Sequence, residues 1–188
     1  MDFEEVVRTR RSIRKFKSEA PPRELIEKVL DLAIWAPSAM NQQNWKFIVV
    51  TGDKVDRIRE ISSRAFKEYV KHDLEKVFSK YPLVIKATGR YFDDLGGAPV
   101  VVCVYRKDTV EGEIPDVQSV AAATQNLVLA AHYYGLGSCW MTGILPLADE
   151  INDVTGEKDY HLQAIVALGY PDANPKPPPR KPGRIEWL

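Results

Sequence analysis

Three short segments of the chain combine residue types and spacings that suit binding of an anionic or planar ligand. Near the N-terminus, Arg10, Ser12 and Arg14 alternate along the sequence, and alternate residues of an extended chain point to the same side. Two guanidinium groups and a hydroxyl on one side have the geometry to bind a phosphate. A solvated basic strand has the same spacing, so this segment alone indicates only a candidate phosphate site.

The second and third segments are a loop and part of the C-terminal tail. Residues 37–41 read PSAMN, and their small side chains would let the backbone approach a planar ligand closely. Arg180 and Lys181 lie between prolines, which restrict the chain and pre-organise a cationic pair. A plain connection and a disordered end are the simpler interpretations of the two segments taken singly.

The residue patterns of hydrolases and metalloenzymes are missing from the sequence. It contains no G-x-S-x-G, H-E-x-x-H or P-loop motif, and its three histidines are isolated. Cys103 lies within a predicted strand and is best explained as a core residue, whereas Cys139, beside Gly-Leu-Gly, lies closer to a possible site. We therefore predict no catalytic side chain and no metal site, and an organic cofactor would supply the reactive atoms of an enzyme.

Composition excludes several classes of protein. The 188 residues are 45% hydrophobic and 28% charged, as in ordinary globular proteins. Their 26 basic and 26 acidic residues give no net charge, which argues against nucleic acid as a partner. Two cysteines are too few for a disulfide framework. Because no secretory signal and no apolar run of about 20 residues is visible, we predict a cytoplasmic protein without a membrane span.

The neutral total hides an uneven distribution of charge. Residues 8–17 hold six cations and no acid, and residues 176–184 hold four cations and no acid. The stretch between them, 18–175, has 16 cations against 22 acids. Two basic segments on an otherwise acidic chain make sense if folding or dimerisation brings them together on one small dianion.

Helical and strand patterns alternate along the chain, which predicts an α+β fold with a central mixed sheet flanked by helices. Asp2 and Glu5 form a capping-box pattern for a first helix, and Asp53 is predicted to cap another. The pattern of residues 79–95 is ambiguous. The proline-rich end from residue 170 can only be extended. The remaining predictions are helices from 23, from 116 and over 146–154, and strands over 45–51, 99–105 and 162–168.

Taken in order, these segments resemble the FMN-dependent nitroreductase family from about residue 5 to about residue 183. The blocks that carry the resemblance are RRSIRKF, WAPSAMNQQNWKFIVV, GAPVVVCV, QNLVLAAHYYGLGSCWMTG and ALGYPDANPKPPPRKP. The family's loop motif is approximately A-P-S-x-x-N-x-Q-P-W, and this chain has Asn44 where that motif has proline. The resemblance implies one nitroreductase-like FMN-binding domain over residues 1–188. It also implies an obligate homodimer with FMN at the subunit interface and the tail, 170–188, reaching the partner.

The same resemblance implies which residues bind FMN and what the protein does. The N-terminal arginines and serine would bind its phosphate, ribityl chain and pyrimidine edge, and the tail cations would complete the phosphate clamp. Loop residues from the partner would pack on the isoalloxazine, and two backbone N–H groups after GLGSCWM would lie near N5 and O4. The residues so assigned are Arg10, Arg11, Ser12, Arg14, Pro37, Ser38, Ala39, Asn41, Thr142, Gly143, Arg180 and Lys181.

The implied activity is an NAD(P)H oxidoreductase that reduces nitroaromatics, quinones or similar flat electrophiles through flavin N5. Its kinetics would be ping-pong, since the chain has no G-x-G-x-x-G for a resident nicotinamide cofactor. Deiodinase-like and flavin-consuming members remain alternatives, as does a flavin-binding redox sensor without turnover. The deiodinase pattern Glu-x-x-x-Tyr is missing, because Ala65, Val77 and Ala87 precede the tyrosines of the region expected to form the substrate pocket, residues 60–95.

Overall fold

A four-stranded sheet lies at the centre of the protein and is flanked by helices on both faces. The computed structural model describes residues 1–108 and 116–188. The strands are β1 (Trp45–Thr51), β2 (Val100–Arg106), β3 (Gly137–Met141) and β4 (His161–Gly169), in the order β1-β2-β4-β3. All three strand pairs are antiparallel. The α+β class is confirmed, but the strands of the sheet are antiparallel, and among the described residues parallel pairing is confined to an isolated bridge between Ser12 and Ser138.

Seven α-helices occupy the described parts of the chain, and most begin where the sequence indicated. They are α1 (Phe3–Thr9), α2 (Arg23–Ala33), α3 (Asp53–Ala65), α4 (Lys71–Val77), α5 (Pro82–Asp94), α6 (Asp116–Tyr133) and α7 (Ala148–Thr155). The first helix starts as expected, because Glu5 N donates to Asp2 Oδ1 at 2.8 Å. The expected cap at Asp53 is wrong by one position, since Gly52 at φ +62° precedes α3 and Asp53 is its first residue.

The sheet divides the hydrophobic core into two clusters, because successive side chains of a strand point to opposite faces. On one face, Cys103 and Tyr105 pack with residues of α3 and α5. On the other face, Val102 and Val104 pack with residues of α2 and α6. Cys103 is fully buried in the first cluster, which confirms its prediction as a core residue.

Residues 79–95, which the sequence left ambiguous, are mostly the helix α5. A glycine in the middle of this helix weakens its sequence pattern. The structure explains that glycine: a Cβ added to Gly89 would lie 2.8 Å from the ring of Phe66, so the two helices can approach only at a residue without a side chain. Phe66 begins a turn of π-helix, Phe66–Val70, that joins α3 to α4.

The proline-rich C-terminal tail forms no helix or strand, as its prolines predicted. After a single bridge between Phe16 and Pro171, residues 172–188 are exposed and belong to no helix or strand. In the described ranges no helix has both the length and the apolar character needed to cross a membrane. The same ranges contain no group of three His, Cys, Asp or Glu side chains arranged to hold a metal ion.

Candidate functional site

The basic N-terminal segment is held in an extended conformation along the edge of the sheet. Ile13 N donates to the Ser138 carbonyl in β3 at 2.9 Å, and Phe16 N donates to the Gly96 carbonyl at 2.8 Å. Lys17 N in turn donates to the Tyr170 carbonyl at 2.9 Å, just after β4. These backbone bonds hold the chain from Ile13 to Lys17 in place. The predicted convergence of Arg10, Ser12 and Arg14 on one phosphate stays a prediction.

Three arginines form a cluster at one end of this segment. Burial lowers the pKa of Arg10 most, and the neighbouring charges of Arg11 and Arg180 lower it further. Arg11 and Arg180 line one groove together with residues of α1 and prolines of the tail. Arg11 Nη1 donates to the Arg10 carbonyl at 2.6 Å, but its Nε is buried without a partner among the described residues. Positive charges that repel one another and retain a free donor are suited to hold an anion. The groove also contains the carboxylate of Glu4, which is paired with Arg8.

A cleft of about 540 Å³ lies beside the cluster, between β3 and the helices α4 and α5. Among the residues that the structure describes, Arg14 is the one charged residue of its lining. Gly143 lies in its wall, where an added Cβ would be 2.7 Å from Phe92 Cζ. The lining residues are Arg14, Val70, Leu74, Val84, Ala87, Thr88, Tyr91, Phe92, Cys139, Trp140, Met141, Thr142 and Gly143. The cleft therefore offers a mainly apolar space with one cation, which suits a flat conjugated ligand.

Cys139 and Tyr91 meet on one side of the cleft. Burial raises the pKa of the Cys139 thiol, although the Tyr91 hydroxyl and the charges of Arg14 and Arg10 act in the opposite direction. Burial likewise raises the pKa of Tyr91. Cys139 therefore remains a protonated thiol, and it contributes to the cleft as a wall residue rather than as a nucleophile.

Comparison with known proteins gives the family. The model of the nitroreductase family matches residues 7–170. The chain belongs to the nitroreductase family. It is 36% identical over 181 residues to a protein of Methanothermobacter thermautotrophicus named "Putative NADH dehydrogenase/NAD(P)H nitroreductase", a match that covers 93% of this chain and 80% of the relative.

Two solved structures show how closely this nitroreductase-family chain follows the fold. A BluB-like flavoprotein from Clostridium difficile 630 is 32% identical, with a TM-score of 0.77 and coverage of 97% of this chain and 95% of that chain. An iodotyrosine deiodinase bound to FMN and 3-iodo-L-tyrosine is 26% identical, with a TM-score of 0.78 and coverage of 98% of both chains. Relatives with different reactions thus share one architecture.

The nitroreductase fold brings together most of the predicted N-terminal, tail and turn residues. Arg10, Arg11 and Arg180 form the cluster, and Arg14, Thr142 and Gly143 line the cleft. The backbone of Ser12 is bridged to Ser138 between them. Lys181 is exposed and lines neither the groove nor the cleft.

The predicted loop lies elsewhere on this nitroreductase subunit. Ala39 N donates to Ser119 Oγ of α6 at 3.2 Å, and Gln43 N donates to Ser38 Oγ at 2.9 Å. Pro37, Ser38, Ala39 and Asn41 line neither the groove nor the cleft of the same chain. Their assignment to the FMN site of a partner subunit therefore stays a prediction.

Tyr91 lines the cleft. The sequence indicated it only as one of six aromatic residues between 60 and 95 that could line a stacking pocket or belong to the core. The structure places it under the guanidinium of Arg14, whose Cζ is 5.8 Å from the centre of the Tyr91 ring. It is identified only by its contact with Arg14, which lies 77 positions earlier in the sequence.

Proposed function

We propose that this protein is an FMN-dependent NAD(P)H oxidoreductase that reduces flat electrophiles such as nitroaromatics and quinones. The observation that carries the proposal is the arginine cluster beside a mainly apolar cleft. Arg10 and Arg14 both act on the thiol of Cys139, a residue of the cleft wall, so the cluster and the cleft are neighbours. A dianionic group joined to a flat ring would fill both features at once.

The residues present fit FMN. Arg10, Arg11 and Arg180 would hold its phosphate, since their mutual repulsion is relieved by a dianion and Arg11 Nε has no partner among the described residues. The cleft wall would exclude water from the ring. When bound, FMN supplies the exchange of two electrons between NAD(P)H and the substrate.

The chain's own groups determine where charge is favoured in the cleft. The charge of Arg14, at the edge of a mainly apolar cleft, would stabilise extra electron density on a ring held beside it. Thr142 and Gly143 would offer backbone N–H groups to the ring. A ping-pong reaction follows if donor and acceptor occupy the remaining space of the cleft in turn.

The proposed function includes a homodimer, in which each subunit contributes to the FMN site of the other. Trp35, just before the loop 37–41, and Met40, within it, are 78% and 81% exposed. Large apolar side chains at that exposure are typical of surfaces that bind another protein. A second subunit would cover them and bring its loop to the cleft, and the extended tail would lie on the partner. Sedimentation of the purified protein should give twice the mass of one chain.

The absorbance spectrum of the purified protein tests the cofactor. We expect a flavin spectrum, release of FMN on denaturation and bleaching by NAD(P)H without oxygen. An Arg10→Ala variant should lose most of the flavin, whereas Arg23→Ala, which removes an exposed arginine paired with Glu27 on α2, should retain it. A colourless wild type that FMN cannot reconstitute would refute the proposal.

A panel of acceptors tests the reaction. The FMN-loaded, prereduced protein is mixed with a nitroaromatic, a quinone, 3-iodotyrosine and oxygen. Rapid reoxidation by the first two supports the proposal. Selective reoxidation by 3-iodotyrosine would favour a deiodinase, and loss of FMN with oxygen would favour a flavin-consuming reaction. Failure to transfer electrons to any acceptor would favour a redox sensor.

A further inference from the structure

Arg14 supplies the one charge that the described residues place in the cleft lining, and two features of the structure fix its position. Its side chain lies over the ring of Tyr91 in α5, with 5.8 Å between Cζ and the ring centre. Its backbone passes the turn that ends the same helix, Leu95–Gly97. The side chain and the backbone of one residue are therefore held by one short stretch of chain.

The turn after α5 approaches the backbone of Arg14 very closely. A Cβ added to Gly96 would lie 2.6 Å from the Arg14 carbonyl carbon and 3.1 Å from Lys15 N. Gly96 has φ +66°, its N–H donates to Asp94 Oδ1 at 2.7 Å, and its carbonyl accepts from Phe16 N at 2.8 Å. Only glycine allows this approach, so the turn sets the path of the basic segment through the site.

The ring of Tyr91 is suited to hold the Arg14 guanidinium in place through a cation–π contact. It is only 5% exposed, and it lines the cleft beside Arg14 and Cys139. Its ring is therefore fixed in the core, whereas Arg14 is exposed and would otherwise sample several rotamers. A cation over the face of an aromatic ring is attracted by the ring's quadrupole. The hydroxyl is buried beside the Cys139 thiol, and the ring is the part of the side chain that contacts Arg14.

We propose that Tyr91 and Gly96 are positioning residues for the ligand in the cleft: together they place the Arg14 guanidinium where that ligand becomes electron-rich. This inference rests on the proposed function, because it takes FMN as the ligand. It adds two residues, neither of which needs to touch FMN, and it predicts that both act through Arg14.

FMN affinity and the two-electron midpoint potential test the role of Tyr91. Tyr91→Leu removes the ring and should weaken FMN binding about three- to tenfold. Reduced FMN should lose more affinity than oxidised FMN, and each tenfold difference lowers the potential by about 30 mV. Tyr91→Phe keeps the ring and should match the wild type within about twofold. Tyr105→Phe removes another buried hydroxyl, bonded to Thr155 away from the cleft, and controls for a general effect on the core.

A double-mutant cycle tests whether Tyr91 acts through Arg14. Once Arg14→Met has removed the charge, Tyr91→Leu should change FMN affinity and potential less than twofold. An equal loss in both backgrounds, or no loss in either, would overturn the proposal. The same cycle on thermal unfolding of the FMN-free protein measures the contact itself. A wild type that bound no FMN would therefore refute the proposed function, while this cycle still decided whether Tyr91 and Arg14 are coupled.

Gly96→Ala tests the turn against a matched glycine. Gly156 ends α7 in the same left-handed conformation, with φ +78° and ψ 12° against φ +66° and ψ 21° at Gly96, but a Cβ there would meet nothing within 4 Å. Both variants therefore bear a similar backbone strain, and only Gly96→Ala pushes on Arg14. We expect Gly96→Ala to weaken FMN binding about threefold or more and Gly156→Ala to leave it unchanged. Equal FMN affinities in the two variants would overturn the role of Gly96.

Discussion

Replacing Arg180 with alanine should weaken FMN binding without harming the folding of the FMN-free chain. In the folded protein Arg180 lies near Arg10 and helps to lower the pKa of that guanidinium, so its charge is a repulsive one until an anion is bound. Removal of Arg180 relieves this repulsion. We expect the free energy of unfolding of the FMN-free variant to equal that of the wild type within about 0.5 kcal/mol.

The loss of FMN affinity follows from the hydrogen bond that Arg180 would make to the phosphate. A hydrogen bond to a charged group contributes about 1.5–3 kcal/mol. Arg180 is exposed in this chain, so screening by solvent and salt favours the lower end of that range. The expected result is FMN binding about tenfold weaker, measured by quenching of flavin fluorescence. Added salt should weaken FMN binding less in the variant than in the wild type.

Arg184→Ala is the matched control, because it removes an exposed arginine four positions further along the same tail. Arg184 does not line the groove that contains Arg11 and Arg180, and its removal should leave FMN affinity unchanged. Equal FMN affinities of the Arg180→Ala variant and the wild type would refute the assignment of the cluster. Equal losses in the two variants would show that the tail acts only through its total charge.

Three further outcomes follow from the structure. Gly143→Ala should reduce FMN binding, because the new Cβ would lie 2.7 Å from Phe92 Cζ in the cleft wall. The same fluorescence titration measures the affinity, and an unchanged value would show that Phe92 moves to make room for the Cβ. The thiol of Cys103 should not react with Ellman's reagent at pH 8 until the protein unfolds, because burial raises its pKa to about 12; fast labelling of the native protein would contradict this. The hydrogen bond from Lys46 lowers the pKa of Glu157, so the stability it contributes is present above the ordinary value of 4.5 and is lost as the pH falls below it. Glu157→Gln should flatten that acid limb in a series of thermal unfolding curves, and an unchanged limb would contradict the pairing.

The sequence predicted most of the fold because its elements begin and end at residues with strong local preferences. The strand Trp45–Thr51 has the bounds that its β-branched and aromatic residues indicated. Gly135 and Gly156, both with φ near +78°, end helices as expected. The helix α5 was missed because Gly89 interrupts its pattern, and the reason for that glycine is a long-range contact with Phe66.

The candidate site residues were predictable where they lie in short segments of the sequence. The cations of residues 10–14 and 180 were identified from spacing and order, and the fold brings them together. Tyr91 was not, because its role depends on lying under Arg14, which no local pattern shows. Sequence could also not separate the loop 37–41 from a plain connection, since one chain alone does not place it at the cleft.

The division of the core by the sheet determines how far the effect of a substitution near the cleft extends. Along β2, Cys103 and Tyr105 face the helices that border the cleft, whereas Val102 and Val104 face α2 and α6. Substitutions on opposite faces share few contacts, so their effects on stability add rather than compound. A substitution that reshapes the cleft side can therefore leave the packing against α2 and α6 in place.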